Sequence, residues 1–186
     1  DIVECGVFKG SGMMVWLKLL MMNTPHDIRK VIGFDYFGKE FVKELTGADQ
    51  VGMTQVFQRC EVENKELSVE FLTEKFLKAG IDRNKFVLVP GDVCETTETY
   101  LKDKPGLRIS LLYLDVDVEK PTYMALQNLW DRVVPGGLIV MDEYAYHIWS
   151  EGNAVDRFIR EKGLKLHKLN VPAPTAYIIK NNIFND

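Results

Sequence analysis

Five carboxylate side chains follow apolar segments that the sequence pattern predicts to be strands of a parallel sheet. They are Glu4, Asp35, Asp92, Asp115 and Asp142. The carboxyl ends of parallel strands meet at one edge of a doubly wound sheet, and ligands bind outside that edge. Each acid alone could serve as a turn or helix-cap residue. Five acids at five strand ends indicate a shared binding site.

A glycine-rich turn follows the first strand and indicates the class of ligand. Gly6, Gly10 and Gly12 separate a short apolar segment from a longer one with apolar residues at helical spacing. A dinucleotide-binding turn has closer glycines, G-x-G-x-x-G, and the charge of Glu4 would repel a pyrophosphate. That carboxylate suits an ammonium or sulfonium group, and S-adenosylmethionine carries both. The turn therefore predicts an S-adenosylmethionine site, with a generic α/β turn as the alternative.

We expect the cofactor to contact this turn and the neighbouring strand ends. Asp35 ends the second strand, where an acid accepts hydrogen bonds from ribose hydroxyls in nucleoside-binding folds. Its alternative role is a turn or cap residue. Asp92 follows the third strand and could reach the adenine amino group or cap the next helix. The predicted cofactor-binding residues are Glu4, Gly6, Val7, Phe8, Gly10, Ser11, Asp35, Asp92 and Asp115.

A second set of acids has a role that binding of the nucleoside does not explain. Asp115, Asp117, Asp142 and Glu143 would repel one another unless a proton or a cation sits among them. Their hard oxygen ligands suit Mg²⁺ or Mn²⁺, which could lower the pKa of a substrate hydroxyl. Helix caps and solvated loop acids are the alternative. His147 could act as the base without a metal, or be a loop residue bonded to the backbone.

Composition limits the class of protein. The chain has 186 residues, 46% hydrophobic and 27% charged, with a net charge of −4. This predicts one domain over residues 1–186, and no basic run points to a nucleic-acid partner. We expect no membrane partner, and a homo-oligomer is compatible with this composition. Three cysteines without metal-ligand spacing predict reduced thiols and a cytoplasmic location.

Alternating strand and helix patterns predict the fold class. It is an α/β fold with a Rossmann-like, doubly wound, mostly parallel sheet and an antiparallel pair of edge strands formed by the last two strands. Residues 36–65 lack a clear hydrophobic periodicity, and we expect an irregular, lid-like insertion there. The sequence begins inside a strand pattern without a Met, so we expect that the N-terminal part of the full protein is missing.

Four segments of the chain resemble the macrocin O-methyltransferase (TylF-type) family of class I S-adenosylmethionine-dependent methyltransferases. They are DIVECGVFKG at 1–10, GFDYFG at 33–38, LYLDVDV at 112–118 and PGGLIVMDEY at 135–144. The resemblance implies the class I methyltransferase fold and methylation of sugar hydroxyls on natural products, in several members with Mg²⁺. It makes Asp115 a metal ligand and catalytic base, with Asp142 and Glu143 as partner ligands. The family commonly has two adjacent aspartates at the latter positions.

The sequence thus predicts an S-adenosylmethionine-dependent O-methyltransferase that acts on a hydroxyl of a small-molecule natural product. The acceptor is expected to be a glycoside or sugar, and the catalytic residues to be Asp115 or His147. A non-catalytic domain that binds S-adenosylmethionine or a nucleotide is the alternative. An NAD-dependent oxidoreductase is disfavoured by the glycine spacing and by Glu4.

Overall fold

A seven-stranded sheet organises the chain. We describe a computed structural model for residues 1–24, 26 and 28–181. Within these residues the sheet has the order β3-β2-β1-β4-β5-β7-β6, in which β1 to β5 are parallel and β7 runs antiparallel to β5 and β6. The predicted fold class is confirmed. The strands are β1 (Ile2–Cys5), β2 (Val31–Asp35), β3 (Phe86–Pro90), β4 (Ile109–Leu114), β5 (Val133–Met141), β6 (His167–Lys168) and β7 (Ala176–Ile179).

Helices cover both faces of the sheet. Helices α1 and α4 contribute to one hydrophobic core, and α5, α6 and α7 contribute to the other. Among the described helices, none combines the length and the apolar content that crossing a membrane requires. The helices are α1 (Ser11–Asn23), α2 (Gly47–Arg59), α3 (Asn64–Leu67), α4 (Val69–Lys78), α5 (Val93–Asp103), α6 (Glu119–Leu129) and α7 (Glu151–Lys162).

The prediction of an irregular segment at residues 36–65 is wrong. The segment contains a 3₁₀ helix, Glu40–Glu44, and the 13-residue helix α2. In α2, Met53, Val56 and Phe57 follow the i, i+3, i+4 spacing of an amphipathic helix, and Met53 is buried. Two glycines and several polar residues in the helix make this hydrophobic periodicity weak in the sequence.

Helix α1 closes over a buried carboxylate on β1. The side chain of Glu4 is 1% exposed, and its Oε2 has no hydrogen-bond partner. A Cβ at Gly12 would lie 2.5 Å from Glu4 Oε1, so a glycine is needed for this close packing. Burial raises the pKa of Glu4 to about 8, against the lowering effect of the neighbouring Trp16 and Met13. The folded protein therefore favours the protonated form of Glu4.

We expect Glu4→Gln to raise the free energy of unfolding by about 1–3 kcal/mol at pH 7. The pKa of Glu4 is higher in the folded state than the 4.5 of an unperturbed glutamate. The folded state therefore retains a proton that the unfolded chain releases, and wild-type stability falls as the pH rises from about 4.5 towards 8. The glutamine side chain does not titrate, so the stability of the variant does not fall in this pH range.

The free energy of unfolding of the wild type and of Glu4→Gln is measured by urea denaturation between pH 5 and pH 8, in steps of about one pH unit. The stability difference should be smallest at pH 5 and should grow with pH. Glu98→Gln is the matched control, because Glu98 is an exposed acid of α5 paired with Lys102. A stability difference for Glu4→Gln that does not change with pH would contradict the prediction.

Candidate active site

A large cavity lies at the carboxyl ends of the central strands. Its volume is about 990 Å³, at the upper end of the range for small-molecule sites, roughly 300–1,000 Å³. Five residues of the predicted cofactor-binding set line it, together with Asp117 and Glu143 of the acidic set. The five are Gly6, Phe8, Asp35, Asp92 and Asp115.

The carboxylate of Asp35 holds the turn that follows β1. Its Oδ2 accepts the amides of Val7 at 2.6 Å and Phe8 at 2.9 Å, and its Oδ1 accepts the amide of Phe37 at 2.9 Å. Phe8 and Phe37 have positive φ angles, +48° and +56°, which bulky residues rarely adopt. Asp35 thus has the turn-residue role that the sequence left as an alternative. Its contact with a ribose stays a prediction.

Gly6 lets the turn after β1 pass against the end of β4. Its φ is +89°, and a Cβ there would fall 1.8 Å from the carbonyl oxygen of Asp115. Both the positive φ angle and the adjacent end of β4 therefore require a glycine at this position. Because the approach is so close, Asp115 lies beside the cofactor turn.

The other predicted cofactor residues hold the turn or cap a helix. Asp92 lines the cavity and caps α5, with its Oδ1 accepting the amide of Cys94 at 2.8 Å, so the helix-cap alternative is confirmed. Glu4, Val7, Gly10 and Ser11 are not among the lining residues. Glu4 lies under α1, and Gly10 immediately precedes that helix. Contact of these residues with the cofactor stays a prediction.

Four acids gather where the ends of β4 and β5 meet the start of α7, and three of them, Asp115, Asp117 and Glu143, line the cavity. Asp115 and Asp117 follow β4, Glu143 follows β5, and Glu151 begins α7. The Glu143 amide donates to Glu151 Oε1 at 3.1 Å, and the Glu151 amide donates to the Asp117 carbonyl at 2.9 Å. Asp117 has a φ of +63°, which an aspartate tolerates better than most residues. These backbone contacts bring the three segments to one place.

Burial and mutual repulsion make protonation of these acids easier. The pKa of Asp115 is raised to about 9, and the pKa values of Asp117 and Glu143 are each raised to about 7. Burial is the largest cause in each case, followed by a neighbouring carboxylate. Glu151 is completely buried and its pKa is raised well above the usual value. Sequence reasoning missed Glu151, because an acid in the first turn of a helix is common.

The predicted metal ligands have suitable chemistry, and Glu143 and Asp142 are in side-chain contact, but the three acids do not form a complete metal-binding group. Asp142 Oδ1 accepts the hydroxyl of Tyr113, and Asp142 is not among the lining residues. Buried oxygens of Glu143 and Glu151 lack hydrogen-bond partners, which fits an additional cation. In the part of the chain that the structure describes, however, no three or more acids, histidines or cysteines form a metal-binding group. Coordination by Asp115, Asp142 and Glu143 therefore stays a prediction.

His147 lies apart from the acidic cluster. It is exposed, in the loop between β5 and α7, and is not among the residues that line the main cavity. It lines a shallow cleft next to that cavity, together with Asp49 and Trp149. Asp115 lines the main cavity, whereas His147 lies outside it. The base role of His147 stays a prediction without a supporting contact.

Helix α2 and the loop before α7 both line the cavity. Helix α2 lies within residues 36–65, for which the sequence predicted a lid-like insertion, and its role as a lid stays a prediction. Phe57 of α2 stacks on Phe8 at 6.1 Å between ring centroids. The Trp149 ring lies over Gly52, where a Cβ would be 2.8 Å away. The Ser150 hydroxyl also donates to Asp49 Oδ2 at 2.6 Å. These contacts join α2 to the acidic side of the site.

The chain is similar in sequence to known O-methyltransferases. The family model of macrocin-O-methyltransferase (TylF) matches residues 1–178. A Streptomyces olivaceus protein, 8-demethyl-8-(2,3-dimethoxy-alpha-L-rhamnosyl)-tetracenomycin-C 4'-O-methyltransferase, is 30% identical over 147 residues. The match covers 78% of this chain and 53% of that protein, so the chain spans about half the length of this curated relative.

Two solved structures share the fold. CalS11, a TDP-rhamnose 3'-O-methyltransferase of calicheamicin biosynthesis, is 26% identical with a TM-score of 0.71, over 97% of this chain and 72% of its own. The O-methyltransferase NovP is 21% identical with a TM-score of 0.76, over 98% of this chain and 72% of its own. NovP supports the fold alone. The chain has the class I methyltransferase fold and belongs to the TylF macrocin O-methyltransferase family.

Proposed function

We propose that this chain carries the catalytic site of an S-adenosylmethionine-dependent O-methyltransferase that methylates a sugar hydroxyl of a natural product. The observation that carries the proposal is one cavity with two kinds of chemistry. Its lining includes Gly6, Asp35 and Asp92, which are predicted to contact the nucleoside, and the acids Asp115 and Asp117. The sugar acceptors named for the S. olivaceus relative and for CalS11 support the choice of acceptor.

Methyl transfer needs aligned reactants and a proton acceptor. The acceptor oxygen attacks the methyl carbon of S-adenosylmethionine, a C–O bond forms, and the C–S bond breaks. The sulfonium becomes a neutral thioether, and the hydroxyl proton must leave. The carboxylates beside the turn are placed to receive it. A non-catalytic binding domain would not need acids on this side of the cavity.

Asp117 is the proton acceptor in this proposal. A carboxylate that holds a cation is a weak base, so Asp115 cannot serve well both as a metal ligand and as the base. Asp117 lines the same cavity, and the bond from the Glu151 amide to its carbonyl holds its backbone. Its pKa of about 7 leaves it partly ionised near neutral pH, as a general base requires.

The cofactor and the reaction are tested together. Calorimetric titration should show binding of S-adenosylmethionine and no comparable binding of NAD. Mass spectrometry of sugar-bearing acceptors incubated with the protein and S-adenosylmethionine should show a gain of one methyl group. Cofactor binding without methylation of any sugar would favour the non-catalytic alternative. NAD binding in place of S-adenosylmethionine would contradict both.

We expect Asp117→Asn to lower kcat by about 10²–10⁴-fold, because the amide cannot accept the hydroxyl proton. Calorimetry should find its affinity for S-adenosylmethionine within about threefold of wild type, a change of less than 1 kcal/mol. His147→Gln is the comparison, since His147 lies outside the main cavity. Retained turnover in Asp117→Asn together with loss in His147→Gln would move the base role to the histidine.

We also propose that Asp115, Asp142 and Glu143 can hold Mg²⁺, which when bound would supply positive charge beside the acceptor hydroxyl. EDTA should lower turnover, and added Mg²⁺ should restore it. Calorimetric titration with Mg²⁺ should show binding that Asp142→Asn weakens by at least about tenfold. Full turnover in EDTA, without Mg²⁺ binding, would remove the ion from the proposal.

A further inference from the structure

We infer that Ser150 and Glu151, where α7 begins, are positioning residues that hold Asp117 in place for the transfer reaction. The inference rests on the proposed function, since Asp117 is the proton acceptor in that proposal. It comes from three hydrogen bonds that the start of α7 makes to the loops after β4 and β5, and from a buried carboxyl group that the proposed mechanism does not use.

The backbone of Asp117 needs support from its surroundings. Its φ of +63° lies in the left-handed region, which costs free energy for a residue with a Cβ atom. Asp117 lies between β4 and α6, outside both elements. A conformation of this kind persists only where several neighbouring contacts determine it. The contacts made to this loop therefore decide where the Asp117 carboxylate lies in the cavity.

The start of α7 holds this loop at two points. The Glu151 amide donates to the Asp117 carbonyl at 2.9 Å. The Ser150 hydroxyl accepts the Glu119 amide at 2.8 Å, two residues further along the loop. One bond thus acts at Asp117 itself and the other just after it. Two adjacent residues of α7 therefore fix both the position and the direction of the Asp117 backbone.

Ser150 uses its hydroxyl for another helix. It occupies the N-cap position of α7, where a serine hydroxyl normally accepts an amide of its own helix. Among the described residues it makes no such bond, and it accepts the first amide of α6 instead. The N-cap residue of α6 is Val118, whose side chain has no acceptor. Ser150 therefore caps α6 in place of Val118, at the point where the loop with Asp117 enters the helix.

The carboxyl group of Glu151 extends the same support to the loop after β5. The side chain is completely buried, and its Oε1 accepts the Glu143 amide at 3.1 Å. Within the part of the chain that the structure describes, Oε2 has no hydrogen-bond partner. A buried acid with one unpartnered oxygen is costly for stability, which points to a role in the site. Through its amide and its side chain, Glu151 joins the ends of β4 and β5.

Two substitutions of Glu151 separate the hydrogen bond from the acid. Glutamine keeps an oxygen that can accept the Glu143 amide, whereas methionine has a similar length and no such acceptor. We expect Glu151→Met to lower kcat by about 10–10²-fold, because a displaced base loses alignment with the hydroxyl. Affinity for S-adenosylmethionine and the kcat of Glu151→Gln should stay within about threefold of wild type. An equal loss of kcat in both variants would show that the acid itself is needed and would overturn the inference.

A double-mutant cycle tests whether Glu151 acts through Asp117. Adding Glu151→Met to Asp117→Asn should lower kcat no further, because the residue that it positions can no longer accept the proton. A further loss as large as the one in the wild-type background would overturn the inference and leave Asp117 as the base. Retained turnover in Asp117→Asn alone would contradict the base assignment and not the positioning, which hydrogen exchange decides.

Hydrogen exchange read by mass spectrometry measures the positioning without turnover. Glu151→Met should speed exchange in segment 115–119 by at least about tenfold relative to the amides of β1, and Glu151→Gln should not. Ser150→Ala, at a partly exposed position, should speed it similarly and decides the question if Glu151→Met does not fold. Unchanged exchange in a folded Glu151→Met or in Ser150→Ala would overturn the inference, whatever the turnover.

Asn128→Leu is the matched control for both measurements. The Asn128 side chain donates to the Thr97 hydroxyl at 2.9 Å and joins the far end of α6 to α5. Its loss removes a bond between two elements without touching the start of α6. We expect kcat and the exchange of segment 115–119 to stay at wild-type values. An effect of Asn128→Leu as large as that of Glu151→Met would show a general loosening of the fold and would overturn the inference.

Discussion

The three hydrogen bonds to the Asp35 carboxylate are the interaction on which the rest of the site depends. They hold the amides of Val7, Phe8 and Phe37, and two of these residues adopt backbone conformations that cost free energy without such support. Because the bonds join the ends of β1 and β2, they determine the shape of the glycine turn. That shape brings Gly6 against Asp115, so the cofactor turn and the acidic cluster share one cavity.

The acidic cluster shows how a site can be stabilised by its ligands. Asp115, Asp117, Glu143 and Glu151 are buried or partly buried next to one another, and burial together with mutual repulsion raises the pKa of each. Buried like charges destabilise a protein unless protons or cations accompany them. A cationic cofactor, and a divalent ion where one binds, would relieve this repulsion.

Helix α2 lines part of the cavity with apolar side chains. Its apolar side chains face Phe8 and the loop before α7, whereas Asp49 at its start bonds to Ser150. The helix therefore closes the site with apolar surface while its N-terminal end is held by a polar contact. A segment between β2 and α4 can vary in this way without disturbing the sheet, because it contributes little to the two cores.

The sequence by itself determined the sheet, the glycine turn and most of the strand-end acids, because these depend on local periodicity and on where each strand stops. It indicated that Asp35, Asp92 and Asp115 share one edge of the sheet, and all three line the cavity. Only the tertiary structure decided which partner each acid has. Glu4 is buried by α1, Asp142 is bonded to Tyr113, and Glu151 comes from a distant helix to join the cluster. These contacts join segments far apart in the chain, and α2 owes its place to packing against Trp149 and Phe8, so no local pattern could have revealed them.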